Sequence, residues 1–283
     1  MRLDVVLLPD SPAPELVDRA LLAEEMGFTA VWVADHFVNP YAPESDWFDG
    51  WTMLGALAVA TSKVRLGPLV SAPALRNPAL LALQATTVDH LSGGRLELGL
   101  GAGGAPLDLA MTGASAREPA ERFARFAETV DIVDTLLTDG TVEHHGTYYD
   151  LEARVQRPLK RPRPPLVLGA LAPRALRFAA ARADCLSTYA ASGRLSSGIA
   201  QGAEAVEMIE ERMRLVDAEC ARIGRDPGSL RRSLLTFFGY ADPLPERGEL
   251  EEWTRPYREM GIDEFVLYWP SDEDEGKLAT LVG

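Results

Sequence analysis

Phe28-Thr29-Ala30-Val31-Trp32-Val33-Ala34-Asp35-His36-Phe37 is an apolar, β-branched and aromatic run that follows a Met26-Gly27 helix stop and breaks off in an acid and an imidazole. A short run of this kind, bounded by turn signals, reads as a buried strand. Asp35 and His36 then stand at its C-terminal tip, and in a parallel α/β array that tip is where ligands bind. Whether the array is parallel is decided by the rest of the chain.

On the N-terminal side, Arg2 to Leu8 reads as a strand and Glu15 to Met26 as a helix after Pro12 and Pro14. On the C-terminal side, Asp35 to Gly50 is a long loop carrying Phe37, Tyr41, Trp47 and Phe48, and long loops inside compact domains are usually lids or binding loops. Further strands are expected at Val64–Val70, Leu96–Gly101, Leu166–Gly169, Cys185–Tyr189, Ser229–Tyr240 and Glu264–Tyr268. Helices are expected between them at Trp51–Thr61, from Pro78, from Pro119 with Phe123, Ala127, Val130 and Leu137 on one stripe, at Pro173–Ala183, at Ala203–Ile223 and at Leu250–Met260, the last kinked or split by Pro256. A terminal helix follows Asp274, and an extended excursion around His144-His145-Gly146-Thr147-Tyr148-Tyr149 interrupts the series. Strand and helix alternate about eight times without a reversal, which predicts one (β/α)8 TIM barrel over 1–283, with insertions in the loops of its C-terminal face. In such a barrel every strand-to-helix loop lies on one rim.

The charge balance narrows the function classes. Lys+Arg 28 against Asp+Glu 42 gives a formal net charge of −14, a field that repels phosphate backbones and anionic lipid heads. No nucleic-acid or membrane partner is expected, and with no signal-like or spanning segment the location expected is cytoplasmic. Cys185 and Cys220 lie far apart and outside any Cys-x-x-Cys spacing, so neither a disulfide framework nor a metal site is expected. Gly-x-Ser-x-Gly, Walker and His-Glu-x-x-His patterns are absent, which leaves hydrolase and nucleotide-triphosphatase chemistry without an anchor.

Four stretches together resemble the bacterial-luciferase-like family of flavin- and deazaflavin-dependent oxidoreductases. They are Gly27 to His36; Val64-Arg65-Leu66-Gly67 followed by Arg76-Asn77-Pro78; Leu91-Ser92-Gly93-Gly94-Arg95-Leu96-Glu97-Leu98-Gly99-Leu100-Gly101; and Gly146-Thr147-Tyr148-Tyr149 ahead of Pro164-Pro165-Leu166-Val167-Leu168-Gly169. The match covers residues 1 to about 190 in order and spacing, and beyond that only the general layout agrees. The resemblance implies a barrel that binds the deazaflavin coenzyme F420, or alternatively FMN, and moves a hydride to or from a small organic substrate.

Carried over residue by residue, the family pattern puts Asp35 and His36 at the reactive edge of the ring, Asp35 as hydrogen-bond partner and His36 as proton donor or acceptor. An imidazole that titrates near neutrality suits that task, although a strand-capping or loop-anchoring His36 is the competing reading. Leu69 and Val70 match a bulge behind the ring, with Ser71 just beyond it; distortion by Pro68 explains the same spot. The resemblance assigns Gly101, Ala102 and Gly103 to close backbone approach to the ring, and Gly169, Ala170, Leu171, Pro173 and Arg174 to the coenzyme phosphate at a helix N-terminus.

Two departures from the family pattern matter. Many deazaflavin members carry a glutamate near Gly104 that is missing here, leaving His36 as the only obvious acid or base, and the Gly169 segment has lost glycines. Three readings follow: an F420-dependent oxidoreductase, an FMNH2-dependent monooxygenase using O2, or a barrel with a degenerate cofactor site serving as a binding protein. His90 and Arg95 read as structural, and His144 and His145 point opposite ways on an extended segment, which prevents them from chelating one metal. The apolar Trp51–Ala60 helix suggests a homodimer, and substrate choice is expected from the loops 35–50 and 190–202.

Overall fold

The computed structural model describes residues 1–40, 42–113, 118–191, 202–240, 242–271 and 274–282. The fold is a (β/α)8 barrel, with eight parallel strands in one nearly closed sheet. In chain order the elements are β1 (Arg2–Leu7), α1 (Ala13–Met26), β2 (Ala30–Val33), α2 (Gly50–Ala60), β3 (Arg65–Pro68), α3 (Pro78–Leu91), β4 (Leu98–Leu100), α4 (Pro106–Thr112) and α5 (Pro119–Asp139). A hairpin of β5 (Thr141–His145) and β6 (Asp150–Arg154) precedes β7 (Leu166–Gly169), α6 (Pro173–Arg182), β8 (Cys185–Thr188), α7 (Gly202–Ile223), β9 (Arg231–Leu235), α8 (Arg247–Glu259), β10 (Glu264–Tyr268) and α9 (Glu275–Val282). The chain divides into two compact units.

One unit comprises Met1–Val6, Glu25–Thr29 and Leu166–Gly283. Its parallel strands run in the order β1-β10-β9-β8-β7, with Arg2 opposite Glu264, Glu264 opposite Ser233 and Cys185 opposite Arg231. All five residues of β10 are buried, as expected for a strand covered on both faces. At the N-terminal end of that strand the buried Glu264 carboxylate lies 3.0 Å from Arg2 and 3.0 Å from Arg231, so a charge taken out of water is paired twice.

The other unit comprises Leu7–Glu24 and Ala30–Pro165. Here β2 pairs with β3, Ala30 opposite Arg65 and Val33 opposite Pro68, and β3 meets β4 through bridges at Leu66–Leu96 and Ser71–Leu100. Gly67 and Gly99 make that seam possible. A Cβ on Gly67 would overlap the Glu97 carbonyl, and one on Gly99 would overlap the Pro68 carbonyl. Asn77 caps α3 by accepting the Ala79 amide at 2.9 Å, with Pro78 at the first helical position.

Arg95 is structural in this unit. It donates to Ser92 O, Val64 O, Ala58 O, Thr61 O and Thr61 Oγ1 at 2.7–2.9 Å, tying the C-terminal ends of α2 and α3 together. Glu24 does the same for the turn before β3, accepting the amides of Ser62, Lys63 and Val64. Burial works against its charge, but those hydrogen bonds prevail and hold the Glu24 carboxyl at about 2.

Four details differ from the sequence reading. Pro256 does not split α8; the helix runs through it to Glu259 with Leu250, Thr254 and Tyr257 buried, packing that outweighs one missing N–H. The buried stripe of α5 centres on Phe126, Val130, Val133 and Leu137, while Phe123 and Ala127 are only half-buried. Trp51–Ala60 is mostly core, with Trp51, Met53, Leu54, Leu57 and Ala58 buried. Pro106–Thr112, to which the sequence reading assigns no element, is a helix.

Candidate active site

β2 is buried along its whole length, and the chain leaves it through Ala34, whose amide donates to Leu7 O at 3.2 Å. His36 follows, its side chain 31% exposed. Its Nδ1 lies 2.6 Å from Oδ2 of Asp108, and the other oxygen of the same carboxylate accepts the Phe37 amide at 2.8 Å. The Trp47 indole donates to His36 O at 2.7 Å. One carboxylate therefore grips the ring of one residue and the backbone of the next, and Nε2 is the ring nitrogen that Asp108 does not hold. Asp108 is buried in the first turn of α4, where a carboxylate also suits the helix dipole.

This corrects the sequence reading at one point. An acid does stand close after Gly104, four residues on, in a stretch to which the sequence reading assigns no helix. The available signal was Pro106 at the first helical position, Asp108 in the first turn and Gly113, at φ 67°, closing the helix.

Asp35 occupies a different environment. It is 1% exposed, and Arg76 grips it with two hydrogen bonds, Nε to Oδ2 at 3.0 Å and Nη2 to Oδ1 at 2.6 Å. Ser71 Oγ donates to Oδ2 at 2.5 Å and in turn accepts the Trp51 indole at 2.9 Å. Arg76 also reaches Asp49 at 2.7 Å, the residue that caps α2 through the Thr52 amide. Burial disfavours the guanidinium charge, but Asp35 and Asp49 outweigh it and keep Arg76 above its ordinary range. Asp35 is thus an anchor for the start of α3 rather than a free carboxylate at the strand tip.

Leu69 and Val70 are less enclosed than Asp35. The Leu69–Val70 peptide is cis, at the expected distortion, and both side chains are partly exposed. Ser71 is fully buried and donates its amide to Gly99 O at 2.9 Å, while its carbonyl accepts the Gly101 amide at 2.9 Å. The glycines that follow have packing reasons of their own. A Cβ on Gly101 would come within 2.5 Å of Val70 Cγ2, and one on Gly103, whose φ is 67°, within 2.6 Å of Ala72 Cβ. Ala102 between them is partly exposed.

In the other unit, Gly169 ends β7, Ala170 is buried with its amide on Ser187 O at 3.0 Å, and Leu171 is half-exposed. α6 then opens at Pro173 with Ala172 as a cap that offers no side-chain acceptor, and Pro173 and Arg174 are exposed. Aromatic rings gather beyond β8, β9 and β10: Phe237 lies 5.6 Å from both Tyr189 and Tyr268.

The remaining histidines are engaged elsewhere. His90 meets Arg157 O at 2.9 Å, His144 meets Glu128 at 3.1 Å, and His145 meets Asp150 at 2.7 Å from the opposite face of the hairpin. Among the described residues no group of histidine, cysteine or acidic side chains has a metal-binding arrangement. Tyr41 and most of the 190–202 loop, expected to bear on substrate choice, lie outside the described residues.

A (β/α)8 barrel with a histidine at the tip of β2, held by an acid from the loop region after β4, defines the class. Residues 1–260 match the luciferase-like monooxygenase family, and the chain belongs to that family. Among its relatives, the F420-dependent glucose-6-phosphate dehydrogenase of Amycolatopsis mediterranei (strain U-32) is 31% identical over 92% of this chain and 82% of its own length. The F420-dependent secondary alcohol dehydrogenase in complex with an F420-acetone adduct superposes with a TM-score of 0.84 at 19% identity, over 99% of this chain and 97% of its own. The coenzyme F420 dependent tetrahydromethanopterin reductase from Methanopyrus kandleri gives 0.78 at 18% identity, over 99% and 96%. These two likenesses are likenesses of fold.

Proposed function

We propose that this chain is an oxidoreductase that moves a hydride between coenzyme F420 and a small organic molecule. The observation that carries the reading is the His36–Asp108 pair, at 2.6 Å, on the strand tip of a luciferase-family barrel. The 31% identical dehydrogenase named above uses F420, which favours that coenzyme over FMN. When bound, the coenzyme supplies the hydride acceptor or donor. His36 holds or releases the accompanying proton at Nε2, and Asp108 is a positioning residue that fixes the ring and the Phe37 amide.

The residues present fit such a guest. Leu69, Val70 and Ala102 offer partly exposed apolar surface for a flat ring, with Gly101 and Gly103 beside them, while Asp35 and Ser71 support the wall from behind. The family resemblance assigns Gly169, Ala170, Leu171, Pro173 and Arg174, at the N-terminal end of α6, to the phosphate.

An FMNH2-dependent monooxygenase is the second reading, favoured by the description of the family itself. The third, a binding protein with a degenerate site, loses one of its two supports now that Asp108 supplies an acid beside His36. Parallel fluorescence titrations with F420 and FMN test the assignment. Micromolar F420 binding with weak FMN binding is expected; the reverse order, with oxygen uptake dependent on reduced FMN, would replace it.

No described helix is long and apolar enough to cross a membrane. A cytoplasmic location belongs to the same proposal, as does a homodimer. The exposed apolar residues Val59 on α2 and Leu80, Leu83 and Leu91 on α3 support the dimer, and light scattering on the purified protein tests it.

A further inference from the structure

The unit containing β1 and β10 holds a cavity of about 490 Å³, within the range that takes a small-molecule ligand. Its lining begins at the N-terminal end of β1, with Met1, Arg2 and Leu3, and is completed by α8, Leu281 and Val282 of α9, and Gly27 and Thr29 ahead of β2. It therefore opens at the N-terminal ends of the strands, whereas the residues assigned to coenzyme and catalysis follow the C-terminal ends.

Charge sets this cavity apart. Four arginines line it, Arg2, Arg247, Arg255 and Arg258, against one acid, Glu251, in a chain whose net charge is −14. Residues 247, 251, 255 and 258 recur every three or four positions and fall on one stripe of α8. Arg2 is matched by Asp263 at 3.3 Å and Glu264 at 3.0 Å, and Arg247 by Glu251 at 3.2 Å.

Arg255 and Arg258 are not matched. Glu251 stands four residues before Arg255, the better order for a helical ion pair, yet it turns to Arg247 instead. No carboxylate among the described residues pairs with either guanidinium, although acids outnumber bases by half in this chain. Both side chains are exposed, and their charge is left over at the rim of an otherwise partly apolar hollow formed with Leu3, Leu281 and Val282.

We propose that this cavity is an anion site for a nucleotide-sized organic phosphate, bound through Arg255 and Arg258 with its less polar portion against Leu3 and Val282. Guanidinium groups suit this ligand because their paired N–H groups match two phosphate oxygens at once. The site is separate from the coenzyme reading and stands or falls without it.

The test is calorimetric titration of the full chain at low salt with ADP, with pyrophosphate, and with adenosine as the uncharged control. ADP is expected to bind more tightly than pyrophosphate, adenosine is expected not to bind, and raising the salt should weaken both anions. The double variant Arg255→Ala/Arg258→Ala, at exposed positions that leave the core alone, is expected to lose at least tenfold in ADP affinity while keeping its circular dichroism and its F420 titration unchanged. Absence of ADP binding at millimolar concentration would reduce the cluster to a solvated basic face. Undiminished binding by the double variant would place ADP elsewhere on the protein, and either result overturns the proposal.

Discussion

Asp108 reaches back from α4 to put one carboxylate oxygen 2.6 Å from Nδ1 of His36 and the other on the Phe37 amide, across 72 positions of sequence. In the neutral ring the proton then belongs on Nδ1, facing the acid, with the lone pair on Nε2. With only four histidines in the chain, the nitrogen NMR signals of His36 are assignable by substitution. A proton on Nδ1 is expected in the native protein and a mixture of tautomers in Asp108→Ala; a native ring protonated on Nε2 would contradict the arrangement. His36→Ala should lower turnover by roughly 10²- to 10⁴-fold, the usual contribution of a general acid or base.

The Asp35–Arg76 pair leads to a prediction about stability. Arg76→Ala strands the Asp35 carboxylate, 1% exposed, with Ser71 as its remaining donor among those described here. Loss of one partner from a buried ion pair costs about 3–5 kcal/mol. Urea unfolding followed by tryptophan fluorescence should register that loss, and a change below about 1 kcal/mol would mean the pair is solvated.

Glu24 gives the chain an acid-sensitive joint. Its folded-state value is about 2 against an ordinary 4.5, so its contribution is fully present above about pH 4.5 and is lost as the pH falls toward 2. Allowing for solvent around this partly exposed group, the contribution is about 1–2 kcal/mol. Glu24→Gln should therefore be less stable than the native chain at pH 7 and no less stable at pH 2. A constant difference across that window would assign the effect to packing.

Glycines in this chain divide into two kinds, and substitution should separate them. Gly99→Ala, whose methyl would overlap the Pro68 carbonyl, is expected to lose more than about 3 kcal/mol or fail to fold. Gly55→Ala, in α2 with nothing within 4 Å of the added carbon, is expected to gain roughly 0.5–1 kcal/mol. Thermal unfolding of the two variants is the measurement.

The barrel was legible because its strands announce themselves. Ala30–Val33, Leu166–Gly169 and Glu264–Tyr268 are short apolar runs between turn residues, and the helices between them start at Pro78, Pro119 and Pro173. The seven residues of α4 are too few for a 3.6-residue period to show, and the helix has no side-chain cap to signal its start. His36 was legible as a residue at a strand tip, but its partner was not. Nor was the engagement of Asp35 by Arg76, because a pairing 41 positions apart leaves no trace in local pattern. Pro256 misled for the complementary reason: local propensity argued for a break, and the buried contacts of Leu250, Thr254 and Tyr257 argued the other way and prevailed.

The narrow seam between β3 and β4 limits what can be altered in this protein. With Gly67 and Gly99 each admitting a neighbouring carbonyl where a side chain would stand, those strands have no volume to exchange. A new substrate preference, whether reached by selection or by engineering, must therefore be written in the loops, whose lengths and residues are free to vary while the two strands beneath them stay fixed.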